Sequence, residues 1–211
     1  MRTNLPLKFS AITFLSLFGA AFPGTLNGTF TFTDSPPNLA LIYFTDDHSL
    51  GKPAQTVISQ QDKQFDQKMI VGAQGTKVVF KNSDNVDHNI YANDLKTGVN
   101  FDAGLLPPGQ DAKVDLSWDD GKVVKIGCKI HPRMQAYVAN TAGSHSQVVE
   151  FKPTDRTGIF KLEGVPDGAS KLRVWFPRHD VLEVTLEKGK SAKLDITEKG
   201  KVHGTLSLDR K

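Results

Sequence analysis

Cys128 is the only cysteine of the chain, with His131 three residues after it and Met134 three beyond that, in Gly127-Cys128-Lys129-Ile130-His131-Pro132-Arg133-Met134. A thiolate, an imidazole and a thioether are soft-to-borderline ligands, and one further imidazole completes a set that suits copper. Two His and one Cys in a trigonal arrangement, with a long and weak axial Met, make a type 1 copper site. His88, in Asn82-Ser83-Asp84-Asn85-Val86-Asp87-His88-Asn89-Ile90-Tyr91, is the candidate for the second imidazole. The other readings of the motif are an inert buried thiol and a zinc site. Zinc sites use Cys, His and carboxylate ligands, and Met is not among them. One cysteine allows no disulfide within the chain.

The segments that must position these residues read almost entirely as strands and turns. Thr76 to Asn82 is strand-like, and Asn82-Ser83-Asp84-Asn85 is rich in side chains that hydrogen-bond their own backbone in turns. Val114-Asp115-Leu116-Ser117-Trp118 alternates with period 2, and Asp119-Asp120-Gly121 reads as a hairpin-type turn. In the next strand Val124, Ile126 and Cys128 share one face, so Cys128 is expected to point inward at the strand's end. The expected geometry brings His88 and Cys128 together on neighbouring strands at one end of a sandwich. His131 and Met134 come from the closing loop, which Pro132 stiffens. Pro132, with Leu105, Leu106 and Pro107 of the neighbouring apolar loop, offers an exposed edge for partner docking.

The segment from Cys128 to Met134 resembles the copper loop of cupredoxins, amicyanin-like in its two-residue spacings and its His-Pro pair. It departs from that loop at Ile130, where the amicyanin loop carries a second proline. Val79-Phe80-Lys81-Asn82 followed by His88-Asn89 resembles the segment that supplies the first histidine. The resemblance implies that Asn82 ties the two ligand-bearing segments together from the second shell. A wider similarity, through Gln64-Phe65, Asn82 to Asn85, His88 to Tyr91 and Cys128 to Met134, is to bacterial periplasmic cupredoxin-like proteins labelled methylamine-utilisation proteins.

Outside this region, Thr29 to Thr33 alternates with both phenylalanines on one face, and Leu39 to Phe44 is apolar enough for a strand covered on both sides. Residues 45–54 form a polar connection in which His48 reads as an exposed loop residue. After Asn140, Thr154-Asp155-x-x-Gly158-x-Phe160-x-Leu162, Pro166-x-Gly168 and Leu172-x-Val174-Trp175-x-Pro177 resemble the carboxypeptidase regulatory-like, transthyretin-type sandwich. Such sandwiches begin with two strands that this C-terminal block lacks, and Gly28 to Phe32 and Leu39 to Phe44 fit them. The expected fold is therefore all-β: a cupredoxin Greek-key β-sandwich combined with a second small transthyretin-like β-sandwich. Residues 1–21 are read as a signal peptide, 22–54 as the first strands of the regulatory-like sandwich, 55–140 as an inserted cupredoxin domain and 141–211 as the remainder. Trp175 reads as core, and His179 and His203 as solvated.

The leader reading rests on Arg2 and Lys8, an apolar run over Phe9 to Phe18, and Gly19-Ala20-Ala21. That run is shorter than the roughly 20 residues a membrane-crossing helix needs. The formal charge is +3 from 26 basic and 23 acidic residues, and loss of Arg2 and Lys8 leaves about +1, which gives no argument for nucleic acid. The leading expectation is a periplasmic one-electron carrier with one copper ion, served by a cytochrome or dehydrogenase through transient docking. The alternative is copper sequestration, delivery or tolerance with the same residues. Catalysis with Cys128 as nucleophile lacks a group to orient His131 as base, so no enzyme is expected.

Overall fold

The computed structural model describes residues 24–47, 49, 55–141, 143 and 145–211. The leader and His48 lie outside the described residues. All regular structure among the described residues is β-strand. Strands β1 (Gly24–Phe32) and β2 (Leu39–Phe44) come first. Nine follow before residue 141: β3 (Gln55–Gln61), β4 (Gln64–Phe65), β5 (Met69–Gly72), β6 (Lys77–Asn82), β7 (His88–Asp94), β8 (Val99–Leu106), β9 (Asp111–Asp115), β10 (Val123–Gly127) and β11 (Gln135–Asn140). The last six are β12 (Ser146–Glu150), β13 (Thr157–Val165), β14 (Lys171–Trp175), β15 (Leu182–Thr185), β16 (Ser191–Glu198) and β17 (Lys201–Arg210).

Pairing sorts these strands into two sandwiches. One is made of the sheets β13-β1-β17-β16 and β12-β2-β14-β15, so β1 and β2 are interior strands of their sheets. Phe30, Phe32, Phe151, Phe160 and Phe176 fill its core, with Phe30 edge-on to Phe151 at 5.2 Å and to Phe176 at 6.0 Å. Edge-to-face contact suits rings with a negative face and a positive rim. The final strand ends on Arg210, which is fully buried. Its guanidinium donates to the carbonyls of Ala169, Leu186 and Pro166 and lies over the Phe44 ring.

The second sandwich contains β3 to β11, in sheets β4-β3-β6-β9 and β5-β11-β10-β7-β8. Its core runs from Ile58 and Phe80 through Ile90 and Leu106 to Val124, Ile126 and Val138. β3 and β6 pair in parallel, as do β5 and β11, and the other pairs are antiparallel. Two readings of the sequence need correction here. β9 stops at Asp115, and Leu116 and Trp118 are buried beyond the strand, so alternation continues where pairing does not. The Asp119-Asp120-Gly121 turn joins no hairpin, because β9 and β10 belong to different sheets. It carries the chain from one layer to the other.

β2 shows why a strand can be apolar on both faces. Ala40, Ile42 and Phe44 face the core of their own sandwich, while Leu39, Leu41 and Tyr43 pack with Met69, Val123 and Ala139 of the other. Trp175 joins this second cluster and meets Tyr137 at 5.0 Å, so it lies between the sandwiches, half-buried. His203 also departs from expectation. Its Nδ1 is 3.0 Å from the Asp34 carboxylate and its ring lies 5.4 Å from that of His179, so it is paired rather than merely solvated.

Candidate metal centre

The candidate ligands meet where β7 begins and β10 ends. Cys128 follows the last residue of β10 and is buried behind Val124 and Ile126, as the strand alternation requires. Gly127 pairs with Tyr91 of β7, and a Cβ on it would stand 3.2 Å from the Tyr91 ring and 3.4 Å from the Met134 carbonyl oxygen. Absence of a side chain there lets the loop close tightly over the strand. Between Asn89 and Tyr91 the register of β7 against β8 shifts, a bulge that leaves His88, Asn89 and Ile90 buried in succession. Bulges re-aim side chains in this way next to functional sites.

His88 Nδ1, His131 Nδ1 and Cys128 Sγ converge. The two nitrogens are 3.1 Å apart, and they lie 3.7 and 3.6 Å from the sulfur. The point equidistant from all three atoms is about 2.0 Å from each, the reach of metal–imidazole bonds of about 2.0–2.1 Å and close to metal–thiolate bonds of about 2.3 Å. The spacing of the three ligand atoms therefore suits a metal ion held by all of them. Among the described residues this set is the one group of three or more His, Cys, Asp or Glu side chains whose ligand atoms converge closely enough to hold a metal ion. Met134 is buried and its backbone N–H donates to the His131 carbonyl at 2.9 Å, which closes the loop into a turn.

The surroundings prepare these donors. His88 Nε2 lies 3.2 Å from Asp84 Oδ2, which places the ring proton there and leaves Nδ1 as the acceptor aimed at the centre. Asp84 is itself fixed by the backbone N–H groups of Lys63 at 2.8 Å and Asn85 at 2.9 Å. The Lys63 amide, ahead of Asn85 and His88, holds the Asp84 carboxyl below its usual range. Lys63 can make this bond because Asp62 and Lys63 both take left-handed backbone in the tight turn from β3 to β4. Burial, with the His88 ring beside it, lowers the pKa of His131, so its imidazole is neutral and able to ligate near pH 7. The backbone N–H of Asn89 donates to Cys128 Sγ at 3.4 Å.

Asn82 is fully buried, and its bonds differ from those the resemblance implies. Its Nδ2 donates to the carbonyls of Val86 and Leu106 at 2.8 Å each, and its Oδ1 accepts from Asp84 N–H at 2.9 Å. It ties the turn before His88 to the end of β8, not to the cysteine loop. The link between the two ligand-bearing segments runs instead through Asn89, whose side chain donates to Asp102 at 2.6 Å, and from Asp102 to Lys129 at 2.5 Å. The Lys129 ammonium, then the Gly104 N–H and Asn89, pull the Asp102 pKa down to about 2. Asp84, Asn89 and Asp102 escaped the sequence reading, although Asp84 sits four residues before His88 within the turn cluster.

The proposed docking edge is changed in one residue. Leu105 is 60% exposed, Ile130 48% exposed and Pro132 exposed, whereas Leu106 is 4% exposed and belongs to the core. Strand alternation at the end of β8 sends neighbouring leucines to opposite sides, so Leu106 cannot serve docking. Elsewhere, Asp47, Ser49 and His145 also gather, with His145 Nδ1 2.9 Å from Asp47 and 3.1 Å from Ser49 Oγ. A hydrolytic relay needs acid and nucleophile on opposite ring nitrogens. Here both meet the same one, so the group braces the connections between sandwiches.

Neither a protein-family profile nor a curated protein matches the sequence. Among solved structures, the chain is similar to a purple cupredoxin from Nitrosopumilus maritimus, with 24% identity and a TM-score of 0.35 over 42% of this chain and 99% of that one. It is similar also to amicyanin from Paracoccus versutus, with 18% identity and a TM-score of 0.36 over 47% of this chain and 96% of that one. A copper-containing nitrite reductase from Thermus scotoductus matches with 20% identity and a TM-score of 0.37, over 41% of this chain but 22% of that one. At such scores these likenesses decide nothing about chemistry.

Proposed function

We propose that this protein is a type 1 copper protein and a one-electron carrier. The observation that carries the reading is the convergence of two imidazole Nδ1 atoms and the Cys128 Sγ on a point about 2 Å from each, with spacing suited to a metal. Copper bound there supplies a couple between Cu(II) and Cu(I). Cys128, His88 and His131 would hold the ion, and Met134 would add a weak fourth ligand that tunes the potential. Asp84 and Asn89 hold this arrangement before metal arrives, so little has to move when an electron is exchanged. Delivery of copper would use the same residues, but a centre whose His88 and Cys128 are buried favours retention over release.

On this reading residues 55–140 are a cupredoxin domain inserted into a transthyretin-like sandwich formed by the flanking segments. Support comes from the pairing of β1 and β2 with β12 to β17 alone, and of β3 to β11 among themselves. Residues 1–21 act as a leader for export to the periplasm, where a cytochrome or dehydrogenase is the electron partner. The deciding experiment is the visible spectrum of the copper-loaded protein. An intense thiolate-to-copper band is expected, lost in Cys128→Ser and retained with a shifted potential in Met134→Leu. A protein that retains zinc and stays colourless with copper would refute the assignment.

A further inference from the structure

We propose that the groove between the two sandwiches receives an acidic segment of a redox partner protein, close to the backbone that leads to Cys128. This deepens the electron-carrier reading and rests on it. The groove has a volume of about 1530 Å³ and runs from Gly127 and Met134 past Tyr91 and Tyr137 to Trp175 and the turn at Arg178. Its lining carries Lys68, Lys96, Lys122, Lys125, Arg178 and Lys199 against Asp94 and Asp180. Lys68 and Lys122 are paired with Glu150 and Asp119. Lys96, Lys125, Arg178 and Lys199 are exposed, and among the described residues they form no ion pair.

The two carboxylates keep their charge, so the lining holds four unpaired cations against two anions, a net excess of two. Asp94 accepts from the backbone N–H groups of Lys96, Thr97 and Lys125, and Asp180 accepts from the Thr197 hydroxyl. A chain whose formal charge is only +3 thus concentrates four unpaired cations in one concavity. Field lines focus in such clefts and raise the rate of encounter with the opposite charge. Arg178 adds a second sign, holding a left-handed backbone with φ 68° in the groove wall, a conformation uncommon for a residue with a side chain. Tyr137 and Trp175, in contact at 5.0 Å, give the floor aromatic surface for a peptide to cover. The occupant's proximity to the centre comes through Tyr91, whose ring lies against Gly127, the neighbour of Cys128. The exposed Leu105 and Ile130 lie outside the groove lining, which the apolar edge meets at Pro132.

The test uses the full chain and two probes. An oligoglutamate peptide is followed through the Trp175 indole N–H resonance, and a c-type cytochrome of net negative charge is followed by stopped flow. Lys96→Glu/Lys125→Glu/Arg178→Glu is expected to weaken peptide binding and slow electron exchange by about tenfold or more, and to flatten the dependence on ionic strength. Lys81→Glu/Lys113→Glu/Lys193→Glu makes the same change in net charge on other surfaces and should leave both readouts nearly unchanged. Equal effects of the two triple variants would overturn the proposal. So would preference for a sulfated oligosaccharide over the peptide in the same groove. If the unsubstituted protein shows no copper band, the carrier reading fails, while peptide binding and its loss in the first variant still decide the groove.

Discussion

Asn82→Ala tests how far the centre depends on its support. The substitution leaves the carbonyls of Val86 and Leu106 and the N–H of Asp84 without their partner in a fully buried position. Each stranded group costs about 1–3 kcal/mol, reduced where water can enter, so the metal-free protein should lose about 3 kcal/mol. The same side chain holds the turn that presents Asp84 to His88, and loss of such outer support weakens metal affinity by about 10–100-fold. That adds about 1.4–2.7 kcal/mol to the cost with copper bound. Urea unfolding of the metal-free and copper-loaded forms measures both quantities. In a Cys128→Ser background the copper-dependent part should vanish while the metal-free part remains. A cost below about 1 kcal/mol without metal, or the same cost with and without copper, would refute the reasoning.

Arg210→Met strands three carbonyls, two of them in buried bonds, and should cost about 3 kcal/mol, seen as a fall in Tm of about 6–12 °C if the whole chain unfolds together. Asp102 has a pKa depressed from 3.8 to about 2, so the stability it adds is full above its unfolded value and is lost as pH falls from about 4 toward 2. Acid unfolding should accordingly separate the unsubstituted protein from Asp102→Asn at pH 5 and bring the two together near pH 2. Expressed alone, residues 55–140 should unfold cooperatively and bind copper. Residues 141–211 alone should not fold, because both sheets would lack an interior strand, and a cooperative transition in that fragment by calorimetry would refute the inserted arrangement.

The members of the candidate centre were legible in the chain because the capacity to ligate is a property of single residues. One Cys with a His at fixed local spacing, and a His-Asn after a turn-rich cluster, mark the three side chains that converge. The all-β class was legible for a similar reason, since period-2 alternation is local. What escaped is whatever depends on residues far apart in sequence. Nothing local in Asp62-Lys63 announces that its backbone will fix Asp84, or that Asp102 will connect Asn89 to Lys129. Leu105 and Leu106 are equally apolar, and the pleat of β8 alone decides which one meets solvent. The turn at Asp119 to Gly121 has hairpin residues, yet the competition for pairing partners among nine strands sends its two arms to different sheets. Leu39 to Phe44 announced a strand covered on both sides. Only the packing of one sandwich against the other supplied its second cover, and the basic groove beside the Cys128 to Met134 loop arises from that same juxtaposition.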